Sequence, residues 1–139
     1  MKFNYYLVRT IGYLLALLPL RFLYLLARIT AWFFQYILKY RKDVVLQNLH
    51  NSFPEKHPKE IKDIAVRFYR IFMETMFETI KLLRMDSSYI PGRIQISNPE
   101  VLQKYYQEGR SVVAVCGHYG NWEWMGTGFN SVIPFQTIA

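Results

Sequence analysis

His118 and Glu123 lie five residues apart in Gly117-His118-Tyr119-Gly120-Asn121-Trp122-Glu123. A histidine can serve as a general base near neutral pH, and a carboxylate on one ring nitrogen fixes the other as the proton acceptor. On a continuous helix, five steps of about 100° would set the two side chains roughly 140° apart. The pair therefore needs a break in the chain between its members. Gly117 and Gly120 permit such a turn, and a helix opening after Gly120 could bring Glu123 back toward the ring.

Other residues here offer rival chemistry. Cys116 and His118 would share one face of a strand, which raises a thiol nucleophile. Side chains two apart on a strand stand about 6–7 Å from each other, however, and a cysteine in an apolar strand usually packs. Cys116, His118 and Glu123 lack a fourth ligand or a paired metal spacing, so no metal site is expected. Asn121 and Trp122 are candidate substrate contacts, Asn121 doubling as a helix cap. Trp122 and Trp124 are expected to pack the helix against a sheet.

The elements that must position these residues read as follows. Ser111–Cys116 is a β-branched apolar run between Gly109 and Gly117, the pattern of a buried strand. Arg93–Ser97 alternates like a half-buried strand, and Ile133–Ile138 suggests a third, with Pro134 confining it to an edge. Asn98 and Pro99 open a helix to about Glu108, with Gly109 at its end, and another helix runs from about Gly120 to Asn130. Upstream, Phe3–Leu38 reads as two helical pieces broken at Pro19. Asp43–Phe53 continues as helix to Pro54, and Pro58 begins a long helix to about Met85 with an apolar stripe through Ile61, Ala65, Phe68, Phe72 and Met76. His50 and His57 flank this proline turn as solvated residues. The expected fold class is α/β: membrane-associated N-terminal helices (1–42), then helices (43–86) and a β-α-β-α-β run (93–139) whose sheet is incomplete.

Charge separates the two ends of the chain. Of the 17 basic residues, Lys2, Arg9, Arg21, Arg28, Lys39, Arg41 and Lys42 precede the first acid, Asp43; beyond it ten basic residues balance ten acids, so the net +7 belongs to the start. That start is also the most apolar region, which favours anionic membrane lipid over nucleic acid. Arg21, Arg28, Gln35 and Lys42 recur every seven residues as a narrow polar stripe, as on a helix lying in an interface; a single tilted span is the alternative. The longest uncharged run within this start, Thr10–Leu20, falls short of the roughly 20 residues a span needs. One cysteine among 139 residues excludes an internal disulfide framework.

The block from Gly109 to Glu123 resembles the histidine-x4-acid block of the bacterial lipid A late acyltransferases, the lauroyl/myristoyl acyltransferase family. Asn48-Leu49 followed by Ser52-Phe53-Pro54-Glu55 resembles that family's segment ahead of the catalytic domain, and the likeness runs the whole length. It implies a glycerolipid-acyltransferase-like α/β domain, with His118 as general base and Glu123 as its partner; glutamate rather than aspartate at this position is typical of the lipid A branch. It further implies an acyl carrier protein thioester as donor, a lipid A precursor as acceptor, no cofactor, and a place at the cytoplasmic face of the bacterial inner membrane. Relatives of this kind are longer, so the chain is expected to be the N-terminal portion of such an enzyme, a fragment or truncated product. The alternatives are an acyltransferase for another membrane lipid and a noncatalytic membrane-bound remnant.

Overall fold

The computed structural model describes residues 2–85, 92–117, 119–130 and 132–134, with side chains from Asn4 onward. The chain divides into two compact units, Met1–Lys81 and Leu82–Ala139.

The first unit contains α1 (Lys2–Leu17), α2 (Leu20–Trp32), a π-helical segment (Phe33–Ile37), α3 (Lys42–Ser52) and all but the last residue of α4 (Pro58–Leu82). Pro19 separates α1 from α2: its backbone is extended (φ −60°, ψ 147°) and its carbonyl accepts from the Phe22 N–H at 3.0 Å, starting the next helix. Carbonyls left without a helical partner at the end of α1 are met from α4. Lys81 Nζ donates to Ala16 O at 2.8 Å and to Leu18 O at 3.0 Å.

Between α2 and α4 the core forms where small residues let the helices approach. Ala27 and Ala31 pack with Tyr69 and Met73, and Phe34, Val45, Phe72 and Phe77 surround them. The buried residues of α4 include Ile61, Ala65, Tyr69 and Met73, a strict four-residue row, whereas Phe68 and Met76 of the expected stripe are exposed. The aromatic bulk of the stripe drew the predicted face to one side of the face that packs; Ala27 and Ala31 leave room for Tyr69 there.

His57 opens α4 with a capping box. Its N–H donates to Glu60 Oε2 at 3.0 Å, and its Nδ1 accepts from the Lys59 N–H at 3.3 Å. In the second unit, α5 (Pro99–Gln107) ends in a Schellman turn: Arg110 N–H donates to Tyr105 O at 2.9 Å and Gly109 N–H to Tyr106 O at 3.0 Å, with Gly109 at φ +67°. The Arg110 guanidinium lies 4.7 Å from the Tyr105 ring centre, the side-chain contact that accompanies this turn. Asn98 precedes α5 without a side-chain capping bond. The last helix is α6 (Trp122–Asn130).

The expected α/β class is overturned: the described residues form an all-helical structure with no strand. Ser111–Gly117 has no regular structure and is exposed throughout, Val113 at 86% and Val115 at 93%. Arg93–Ser97 forms turns and irregular backbone, as do Val132–Pro134, and Phe135–Ala139 lie outside the described residues. β-branched residues favour a strand only when a neighbouring strand takes up the backbone N–H and C=O groups and covers a face, and no described segment does either. The tilted span is corrected too. No helix among the described residues is long and apolar enough to cross a membrane.

Candidate active site

The acid arm of the predicted pair is placed by the start of α6. Gly120 has φ +66°, a left-handed conformation that turns the chain before the helix. Asn121 then accepts the Trp124 N–H on its side-chain Oδ1 at 3.1 Å, and its backbone carbonyl accepts the Met125 N–H at 3.2 Å. Both bonds satisfy amides at the helix start, so Asn121 is the N-cap, and Glu123 occupies the first turn, where the helix dipole favours a negative charge. Glu123 is exposed, Trp122 half-buried and Trp124 buried.

The far end of the helix is held by a close approach. A Cβ placed on buried Gly128 would lie 2.8 Å from Ile94 Cγ2, so glycine lets α6 settle on the Ile94 segment. Among the described residues there is no sheet for the tryptophans to pack against; the helix rests in part on that irregular segment instead.

His118 lies outside the described residues. Its neighbours are exposed: Gly117 on one side, and Tyr119, at 97%, on the other. Cys116 is exposed as well. With no strand formed at 111–116, the shared strand face that suggested a Cys116–His118 pair is absent. The structure thus assembles Gly120, Asn121, Trp122 and Glu123 as one capped helix start. The capping role of His57 was missed from sequence because histidine is not among the usual N-cap residues; the Glu60 three residues on was the available signal.

The family described as "Bacterial lipid A biosynthesis acyltransferase" matches residues 1–138. The chain belongs to the bacterial lipid A biosynthesis acyltransferase family. Its general function is accordingly acyl transfer of the lipid A biosynthesis type. No curated protein and no solved structure matches the chain. Within this acyltransferase, the capped start of α6 is the part of the histidine-x4-acid block whose geometry is described.

Proposed function

We propose that this acyltransferase moves a fatty acyl group from an acyl carrier protein thioester to a hydroxyl of a lipid A precursor at the cytoplasmic face of the inner membrane. His118 takes the proton of the acceptor hydroxyl as the oxygen bonds to the thioester carbonyl carbon. The carbon–sulfur bond then breaks, and the departing thiolate receives the proton back from the imidazolium, leaving an ester and a thiol. Glu123 holds the ring in the tautomer that leaves one nitrogen free to accept and stabilises the positive charge it gains. Trp122 gives the acyl chain an apolar wall, and Asn121 contacts the substrate while setting the start of the helix.

The observation that carries this reading is the exposed carboxylate of Glu123 on the first turn of a side-chain-capped helix, directly after the left-handed turn at Gly120. An acid held this way can orient a histidine across the turn, and no ion pair among the described residues takes up its charge. Membrane attachment draws on the first unit, where Tyr5, Leu14, Phe22, Ile29 and Trp32 are exposed on helices that also carry Arg9, Arg21 and Arg28. Such surface suits the headgroup boundary, with aromatic rings and arginines at the interface.

The acceptor is tested by supplying the full gene product with an acyl carrier protein thioester and offering a lipid A precursor and a glycerolipid side by side. Ester formation on the lipid A precursor is expected. Preference for the glycerolipid would replace the acceptor, and no transfer to either would favour the noncatalytic alternative.

A further inference from the structure

We infer that the first unit holds a binding site for a phosphate ester, in a cavity of about 140 Å³ between the π-helical segment, α3 and α4. Lys42 from α3 and Lys62 from α4 line it, together with Gln35 from the π segment, and Leu46, Ala65 and the Tyr69 ring supply its apolar wall. No acid lines it, and neither lysine forms an ion pair with a described residue.

Gln35 is the second, independent sign of a ligand. It is 7% exposed, yet its side-chain amide has no hydrogen-bond partner among the described residues. With no protein partner, this amide takes its hydrogen bonds from solvent or from whatever occupies the cavity. No buried side-chain nitrogen or oxygen fully shut off from solvent lacks a partner, so the Gln35 amide keeps its remaining access through the cavity it lines.

The backbone around the cavity is shaped for it. The π segment replaces regular α-helix at the residues that deliver Gln35, an irregularity found often at functional sites. The turn that follows holds both Lys39 and Arg41 at φ 50°, a left-handed conformation costly for side chains with a Cβ, and it is pinned by Tyr69, whose hydroxyl donates to Tyr40 O at 2.6 Å. Two ammonium groups and an amide NH2 match a doubly charged phosphate ester better than a single carboxylate. The apolar wall and the volume leave space for the first carbons of the esterified group.

The heptad-spaced Gln35 and Lys42 thus acquire a different role from that of an interfacial polar stripe. They converge on one cavity.

The test titrates the full chain with inorganic phosphate and, separately, with dihexanoyl phosphatidic acid below its micelle concentration, following the Leu46 and Ala65 backbone amide resonances and, where Gln35 is present, its side-chain amide. Both probes carry the chemistry; tighter binding of the lipid assigns the site to a headgroup, and response to inorganic phosphate alone assigns it to a soluble phosphate. The double variant K42Q/K62Q should bind at least about tenfold more weakly, whereas K59Q/R67Q, with the same charge change away from the cavity, should stay within about twofold. Gln35→Met should weaken phosphate binding, since it removes the amide that the cavity presents to the ligand. The inference is overturned if neither probe moves the Gln35 resonance, if both double variants lose affinity equally, or if Gln35→Met leaves affinity unchanged.

Discussion

Tyr69 does more for the first unit than fill space. Its ring is 1% exposed, its hydroxyl is bonded to Tyr40 O at 2.6 Å, and that bond closes the strained turn between the π segment and α3. Tyr69→Phe keeps the ring but leaves the Tyr40 carbonyl without this partner, and the expected loss is about 1–3 kcal/mol in denaturant unfolding. Burial, then the negative charge of Asp43, raises the Tyr69 phenol above its ordinary value of 10.0. Because the folded value is the higher one, the contribution to stability is whole below pH 10.0 and is lost as pH rises from there through the raised folded value. Unfolding midpoints measured from neutral to strongly alkaline pH should therefore hold level and then fall above about pH 10. The fall should be shallower in Tyr69→Phe.

At the scale of elements, α6 is fixed by its cap at one end and by a close contact at the other. Gly128→Ala would gain about 1 kcal/mol of helix propensity but must push back Ile94, and overpacking of this kind costs about 1–3 kcal/mol. The contact at 2.8 Å involves the branch at Ile94 Cβ rather than a flexible chain end, so the clash should win. Thermal unfolding should show Gly128→Ala destabilised and the double change with Ile94→Ala restored. The helices were legible in the sequence because their signals are local: Pro19 breaks one, Pro58 opens another, Gly109 closes α5 and Asn121 starts α6. The sheet was misjudged because strand formation is a property of pairs of segments. Val112, Val113 and Val115 carry the propensity, but nothing described pairs with them. At the candidate site, the turn and the position of Glu123 on the helix were readable from Gly120 and Asn121. The Gln35 cavity was not, because its walls come from three segments and its opening from a π turn that periodicity does not signal.

At the scale of the whole molecule, charge and apolar surface coincide in the first unit. The net +7 arises before Asp43, and the same stretch exposes Tyr6, Val8, Leu25 and Trp32. Contact of this surface with anionic lipid would combine charge attraction with burial of apolar rings, and only the first is screened by salt. Washing membranes with concentrated salt should leave the protein in the pellet, and detergent should release it; release by salt alone would rule out apolar insertion. The central claim is that His118 is the base and Glu123 its orienting partner. Its most direct test is kcat/KM for acyl transfer by the full gene product carrying His118→Ala or Glu123→Gln, each checked for wild-type helicity. Loss of the base should lower the rate by about 10²–10⁴-fold, and loss of the partner's charge should also lower it strongly while retaining the fold. Wild-type rates in both variants would contradict the account.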